Sequence, residues 1–247
     1  MTCEKCQNGW INTKNGFIVC ECNRDKTLNK MYEWSEAPPK YKKQLIELED
    51  QKIKNGKGTI VSYKESIERL TKNRENIEMM IENEFRIVLK GSTGSGKTQF
   101  ALTLAMEILK NYDLQDPNPE LNKFFFLSIA KLNEVIFEKE KSYYDKIRKA
   151  SVLIIDDIGV ELQVQNNKTA YILMELDHLI REFEGILIIT TNVAENLKEM
   201  YEHHNKRLSS VILTDTEENH GINNSLFYTF AQREERRKKK NTGVVFL

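Results

Sequence analysis

A run of eight residues has the spacing of a phosphate-binding loop. Gly91-Ser92-Thr93-Gly94-Ser95-Gly96-Lys97-Thr98 fits the pattern G-x-x-x-x-G-K-[ST]. Its glycines allow the backbone to fold around phosphate oxygens with N–H groups pointing inward. Lys97 is placed to contact the β- and γ-phosphates of a nucleotide, and the Thr98 hydroxyl is placed to bind Mg²⁺. The predicted nucleotide site comprises this loop and the next residue, Gln99.

The flanking residues predict the strand and the helix that such a loop needs. Phe85–Lys90 is short, apolar and β-branched, which favours a buried strand. Gln99–Met106 combines good helix formers with an apolar stripe. A Gly/Ser-rich turn before a helix is the plain alternative. We prefer the phosphate loop because the helix N-terminus would add its positive dipole to the site.

Polar residues end two further apolar segments. Ser151–Asp157 ends in two carboxylates, and the segment 186–192 ends at Asn192. Parallel sheets bind ligands at the carboxyl ends of their strands, so these side chains should converge on the loop. Asp156 is predicted to bind Mg²⁺, and Asp157 to orient or deprotonate the attacking water. Asn192 would bind the γ-phosphate or that water. The alternative for the two aspartates is a purely structural role, and the alternative for Asn192 is a turn-forming asparagine.

Strands and helices are predicted to alternate along the central part of the chain. Strands that are apolar on both faces indicate a parallel sheet covered by helices on both sides, a three-layer α/β fold. Ser62 and Glu65 form a capping box that should open one helix running to about Glu82. The other predicted elements are a strand over Lys123–Ser128 and helices over Ile129–Lys141, Ser142–Lys149 and Asn166–Glu184.

All four cysteines lie near the N-terminus, as Cys3-x-x-Cys6 and Cys20-x-Cys22. Two close pairs suit a tetrahedral Zn²⁺ with four thiolate ligands. So short a segment cannot bury a core of its own, and a bound metal would supply the missing stability. The C-x-C pair is tighter than the usual spacing, and four reduced cysteines without metal are the alternative.

Composition limits the classes of function. The 247 residues carry a formal net charge of zero, so a nucleic-acid site would have to come from a local patch. Apolar runs are too short to span a bilayer, and no membrane partner is expected. The N-terminus shows no apolar leader, so we expect a cytoplasmic protein with reduced cysteines.

The composition also divides the chain. Thr27–Trp34 is predicted as a short helix that Pro38 and Pro39 stop, and Tyr41–Lys54 as an amphipathic or partly mobile helix. The cluster 233–240 is basic and either tracks a DNA backbone or is simply solvated. The predicted parts are a zinc-binding module (1–24), a linker or helical connector (25–60), a nucleotide-binding domain (61–232) and a basic tail (233–247).

Three segments together resemble the AAA+ ATPases of the DnaC/DnaI helicase-loader and IstB group: Gly91–Thr98, Val152–Gly159 with its Asp-Asp-Ile-Gly ending, and Ile189–Asn192 with its Thr-Thr-Asn ending. The cysteine cluster and the proline-containing connector that follows it resemble the N-terminal parts of bacterial and phage helicase loaders. The resemblance implies a P-loop NTPase that binds and hydrolyses ATP with Mg²⁺. It also implies that the chain delivers a hexameric replicative helicase onto single-stranded DNA, with the N-terminal module touching the helicase.

The C-terminal part departs from the family's pattern. The family has an arginine finger that acts across a subunit interface, which implies self-association. Arg207 is the candidate finger; alternatively it matches an upstream arginine and leaves Val211 in that place, or it is a solvated helix residue. The segment Gly221–Phe227 lacks the sensor arginine that the family usually carries there. We therefore expect weak hydrolysis and a reduced helical lid.

Other functions stay open at this point. An IstB-like transposition helper would use the same ATPase core on duplex DNA, and a nucleotide-gated adaptor would bind ATP with little turnover. A P-loop kinase of a small metabolite is disfavoured by the Thr-Thr-Asn and Asp-Asp segments and by the lack of an arginine-rich lid.

Overall fold

The computed structural model describes residues 3–14, 16–42, 52–55, 59–112, 123–138, 141–159, 168–192 and 225–230. Within these ranges the chain forms a two-stranded sheet, β1-β2, and a seven-stranded sheet in the order β4-β3-β9-β5-β8-β7-β6. The strands are β1 (Trp10–Thr13), β2 (Gly16–Val19), β3 (Lys52–Asn55), β4 (Ile60–Ser62), β5 (Arg86–Gly91), β6 (Lys123–Ser128), β7 (Ala150–Ile158), β8 (Ile186–Thr191) and β9 (Ser225–Phe230). The helices are α1 (Glu21–Trp34), α2 (Pro39–Lys42), α3 (Tyr63–Leu70), α4 (Arg74–Glu82), α5 (Lys97–Tyr112), α6 (Ile129–Glu138), α7 (Lys141–Arg148) and α8 (Lys168–Glu182).

The predicted three-layer α/β fold with a parallel sheet is confirmed. Strands β9, β5, β8, β7 and β6 pair in parallel, and β5, β7 and β8 are apolar and buried along most of their length. Alternate side chains enter two separate cores, with Ile87 and Leu89 on one face and Val88 on the other. Helices α1, α3, α4 and α5 cover the first face, and α6, α7 and α8 cover the second.

The order of the central strands positions the predicted site. Strand β5 leads into the phosphate loop, β8 ends beside Asn192, and β7 carries the two aspartates. Because β8 lies between the other two, its carboxyl end is hydrogen-bonded to neighbours on both sides. The three predicted sets of polar residues therefore meet at one edge of the sheet.

The sheet also has an antiparallel edge that the sequence prediction lacked. Strand β3 (Lys52–Asn55) includes the last residues of the segment Tyr41–Lys54, which was predicted as an amphipathic or partly mobile helix, and it pairs antiparallel with β4 and with β9. Ile53 is buried between two exposed lysines, a pattern that a short strand and a helix share. The prediction was wrong here because the partner strand β9 lies about 170 residues further along the chain.

The predicted helix from Ser62 to about Glu82 is interrupted. Ser62 caps α3 as expected, since its Oγ accepts the backbone N–H of Glu65 at 3.1 Å. Helix α4 then has an N-cap of its own, Asn73, whose Oδ1 accepts the backbone N–H of Asn76 at 2.9 Å. The asparagine side chain competes for backbone hydrogen bonds, and this local capping splits the helix in two.

Part of the predicted linker packs on the sheet. Helix α1 begins directly after Cys20, earlier than predicted. The ring of Tyr32 contacts Phe124 edge-on at 6.1 Å, and Trp34 contacts Phe125 at 5.9 Å. Just beyond α1, the backbone N–H of Phe126 donates to the carbonyl of Ser35 at 2.9 Å. The outer strand β6 is thus covered by the end of α1, while the domain limits at residues 24 and 60 stay predictions.

Several predictions fall outside the described residues: Arg207, the reduced helical lid and the basic tail over 233–247. Within the described ranges, no helix combines the length and apolar character needed to cross a bilayer.

Replacing Phe124 by alanine tests whether α1 belongs to the folded unit. Phe124 is fully buried in β6 against Tyr32, so Phe124→Ala should lower the free energy of unfolding by about 3–5 kcal/mol. It should also speed hydrogen exchange of the amides in 28–37. Urea unfolding and exchange mass spectrometry measure both effects.

The control is Met174→Ala, because Met174 is exposed on α8 and its loss should change stability by less than about 0.5 kcal/mol. Unchanged exchange of residues 28–37 in Phe124→Ala would contradict the packing of α1 on β6.

Candidate nucleotide site and cysteine cluster

The phosphate loop is built by glycines in unusual backbone conformations. Gly94 has φ 80° and Gly96 has φ 100°, a region that L side chains rarely adopt. A Cβ at Gly94 would meet no atom within 4 Å, so the backbone conformation rather than crowding requires glycine there. The loop then enters α5 at Lys97, and the backbone N–H of Phe100 bonds to the Gly96 carbonyl at 2.9 Å.

Lys97 is buried at the centre of the site. Only 4% of its surface is exposed. Its Nζ donates to the Ser92 carbonyl at 2.9 Å and to Asn192 Oδ1 at 2.6 Å. Burial lowers the pKa of Lys97, whereas the nearby carboxylates of Asp157 and Asp156 raise it. The ammonium group is therefore held between the loop and the end of β8.

Asp156 joins the loop helix to the carboxylate strand. Its Oδ1 accepts the Thr98 hydroxyl at 2.9 Å and the Thr190 hydroxyl at 2.6 Å. Burial raises the pKa of Asp156, and the hydrogen bonds from Thr190 and Thr98 act in the opposite direction. The Thr98 hydroxyl and the Asp156 carboxylate both offer oxygen atoms, and Mg²⁺ prefers oxygen ligands. Thr98 and Asp156 are the residues that would hold this ion, whose charge would neutralise phosphate oxygens.

A bulge turns the second carboxylate. The pairing of β7 with β8 passes from Ile155–Ile189 to Ile158–Thr191, so β7 carries one extra residue. Asp157 lies in this bulge with φ 63°. In a regular strand, neighbouring side chains point to opposite faces. Here the Asp157 carboxylate accepts a hydrogen bond from the Asn192 side-chain N–H at 2.6 Å. The same Asn192 side chain accepts a hydrogen bond from Lys97.

The predicted residues thus form two hydrogen-bonded groups, which Thr190 joins. Hydrogen bonds run from Thr98 to Asp156, and from Lys97 through Asn192 to Asp157. Gln99 follows Thr98 in the first turn of α5, and Thr93 is an exposed residue of the loop. Sequence reasoning gave no role to Thr190, which contacts both aspartates. The available signal was its position two residues before Asn192, on the same face of the strand.

The four cysteines meet in space. Their Sγ atoms all lie within 4.8 Å of one another. Cys3 and Cys20 are 3.8 Å apart at sulfur, and Cys6 and Cys22 are 3.4 Å apart. Tetrahedral zinc with Zn–S bonds of about 2.3 Å requires sulfurs roughly 3.8 Å apart, so the cluster fits this ion.

The hairpin β1-β2 and the start of α1 bring the two cysteine pairs together. The backbone N–H of Cys20 bonds to the Gly9 carbonyl at 2.8 Å, which ties the second pair to the turn after the first. Gly9 has φ 88°, and a Cβ there would lie 2.5 Å from the Asn23 side chain in α1. The fold of this short segment therefore depends on a close approach that glycine permits.

Comparison with known proteins yields limited sequence similarity. A family model described as RNA helicase matches residues 87–188, which run from β5 into β8. No curated protein matches the chain at a significant level.

Solved structures to which the chain is similar include DnaC, DnaI and a domain of DnaA. The crystal structure of the DnaC helicase loader has 16% identity and a TM-score of 0.45, covering 68% of this chain and 86% of that one. The crystal structure of DnaI has 22% identity and a TM-score of 0.39, covering 59% and 72%. Domain III of the Thermotoga maritima replication initiation protein DnaA has 17% identity and a TM-score of 0.43; the match covers 61% of this chain and 57% of that structure.

Lys97→Ala tests the nucleotide site. Loss of the buried ammonium should weaken ATP binding roughly 100-fold, because hydrogen bonds to charged groups contribute about 1.5–3 kcal/mol each. Titration with a fluorescent ATP analogue measures the affinity, and circular dichroism checks that the fold is kept.

Lys110→Ala is the matched control, since Lys110 lies on the same helix and pairs with Glu107 away from the loop. Wild-type ATP affinity in Lys97→Ala would refute the site assignment.

The double variant Cys3→Ser, Cys6→Ser tests the cysteine cluster. It should lose bound zinc and unfold the N-terminal segment while the sheet keeps its stability, because two thiolate ligands are removed. Elemental analysis gives the zinc content, and hydrogen exchange locates the unfolding.

Lys14→Ser, in the exposed β1-β2 turn, should keep one zinc per chain. Zinc-free wild-type protein purified without chelator would rule out the metal.

Proposed function

We propose that this chain is an AAA+ ATPase that loads a ring-shaped replicative helicase onto single-stranded DNA. The observation that supports the nucleotide part most strongly is the network that joins Lys97, Asn192 and Asp157 beside the Thr98–Asp156 pair. A phosphate loop alone would fit many nucleotide-binding proteins. Two carboxylates near its lysine, one of them linked to that lysine through the asparagine side chain, fit transfer of the γ-phosphoryl group to water.

Each residue has a proposed role. Lys97 binds the β- and γ-phosphate oxygens, and Thr98 and Asp156 hold Mg²⁺. Asp157 and Asn192 orient the attacking water, with Asp157 accepting its proton. No residue is needed as a covalent nucleophile, because positioning and electrostatic stabilisation account for this reaction class.

The shared contacts of Asn192 suggest a switch. Its side chain accepts from Lys97 through Oδ1 and donates to Asp157 through Nδ2, so the two charged groups are coupled through one amide. Phosphate oxygens that compete for Lys97 would free Oδ1 of Asn192. We infer that nucleotide state is transmitted from the loop to the bulge of β7 through this amide.

The cysteine segment is the proposed helicase-binding module. It continues directly into α1, and the end of α1 packs on β6. Ser128, the last residue of β6, is paired in register with Asp156. A continuous packed path therefore links the proposed partner-binding module to the nucleotide site.

A second candidate is a nucleotide-gated adaptor with little turnover. It is supported by the absence of arginine from the sequence Gly221–Phe227, where the resembled family carries a sensor arginine. Phosphate release measured with and without single-stranded DNA separates the two. Turnover that single-stranded DNA stimulates favours the loader, whereas tight ATP binding with no measurable release favours the adaptor.

Co-purification tests the partner. The full chain should retain a hexameric replicative helicase in ATP and release it in ADP with single-stranded DNA. Lys97→Ala should retain the helicase equally in ATP and in ADP, because it lacks the ammonium group that would bind the phosphates. The Cys3→Ser, Cys6→Ser variant should lose the helicase while it still binds ATP.

Other outcomes identify the alternatives. Retention of a transposase instead of a helicase would establish the IstB-like function and overturn the loader. Appearance of a phosphorylated small molecule, rather than free phosphate, would establish a kinase.

A further inference from the structure

One buried hydroxyl lies between the two carboxylates of the nucleotide site. Thr190, on β8, is 0% exposed. Its Oγ1 donates to Asp156 Oδ1 at 2.6 Å and accepts the backbone N–H of Asp157 at 3.0 Å. A threonine hydroxyl has a single proton, so the bond to Asp156 uses its whole capacity as a donor.

The contact with Asp156 differs from the contact made by Thr98. Both hydroxyls donate to the same carboxylate oxygen, but Thr98 belongs to the phosphate loop helix and is itself a proposed Mg²⁺ ligand. Thr190 belongs to the neighbouring strand and contacts no residue of the loop through this hydroxyl. Its bond to Asp156 therefore holds the carboxylate by a route that does not pass through the loop.

The contact with Asp157 anchors the bulge. A non-glycine residue at φ 63° adopts a left-handed backbone conformation that carries a steric cost. The hydrogen bond from the Asp157 N–H to Thr190 satisfies a backbone donor that the irregular pairing of β7 with β8 leaves outside the ladder. With the backbone held there, the Asp157 carboxylate reaches Asn192 at 2.6 Å.

We propose that Thr190 is a positioning residue of the nucleotide site. It orients the Asp156 carboxylate for Mg²⁺ and fixes the bulge that turns Asp157 toward Asn192. This inference rests on the proposed nucleotide function, and it adds a residue that lies outside both the phosphate loop and the aspartate pair.

The next residue supplies a matched control. Thr191 is also 0% exposed on β8, and its hydroxyl donates to the backbone carbonyl of Ile158 at 2.8 Å. Replacing either threonine by valine removes one buried hydroxyl from the same strand at nearly constant volume. The replacement at Thr190 also removes the hydrogen bonds to both aspartates.

The experiment compares Thr190→Val, Thr190→Ser and Thr191→Val in the full chain. Affinity for a fluorescent ATP analogue is measured with EDTA and over a Mg²⁺ titration, and phosphate release gives kcat and KM. In Thr190→Val the half-saturating Mg²⁺ concentration should rise about tenfold, the effect of losing one hydrogen bond to a charged group. Affinity in EDTA should change less than about twofold, because the loop contacts are untouched, and kcat should fall more than KM rises.

The other two variants separate positioning from stability. Thr190→Ser keeps the hydroxyl and should restore the Mg²⁺ dependence to within about threefold of wild type. Thr191→Val should show wild-type Mg²⁺ dependence even if its thermal stability falls. If Thr190→Val does not fold, Thr190→Cys carries the test, because a thiol of similar size is a much weaker donor.

The outcomes distinguish the two proposals. A wild-type protein whose ATP affinity does not respond to Mg²⁺ would overturn the proposed nucleotide function. A wild-type response that Thr190→Val retains, or that Thr191→Val loses equally, would overturn the positioning role of Thr190 and leave the nucleotide function standing.

Discussion

The burial of Lys97 is the constraint around which the site is arranged. An ammonium group removed from water is costly unless hydrogen-bond acceptors and opposite charges compensate. The Ser92 carbonyl and the Asn192 oxygen supply the acceptors, and the two aspartates supply the negative charge. Those groups come from the loop, from the end of β8 and from β7, so this one charge requires three separate elements to meet. The parallel sheet satisfies that requirement because its strand ends share one edge.

The two aspartates occupy different environments although they are neighbours. Asp156 is 6% exposed and is bound by two hydroxyls, and burial raises its pKa. Asp157 is less buried and is turned toward an amide by the bulge. A regular strand would have placed these carboxylates on opposite faces of the sheet. With the bulge, one carboxylate lies deep beside two hydroxyls, and the other lies nearer the surface beside an amide.

The cysteine segment and the nucleotide site are connected through packed structure. Glu36, at φ 60°, accepts a hydrogen bond from Tyr143 at 2.9 Å and pairs with Lys146. These contacts fasten the chain after α1 to α7, on the second face of the sheet, while Tyr32 packs on the first face. The end of α1 and the residues directly after it consequently contact elements on both faces of the sheet beside the outer strand β6.

The sequence alone determined the features that depend on local pattern. The loop, the apolar strands, the alternation of strands and helices and the cysteine spacing all follow from neighbouring residues, because steric and hydrophobic periodicities are local. The tertiary structure decided what depends on distant partners. Strand β3 pairs with β9, which lies far along the chain, and the direction of the Asp157 side chain depends on a bulge against β8. The role of Thr190 belongs to this second class, since a threonine in a buried strand shows its partners only after the strands are paired.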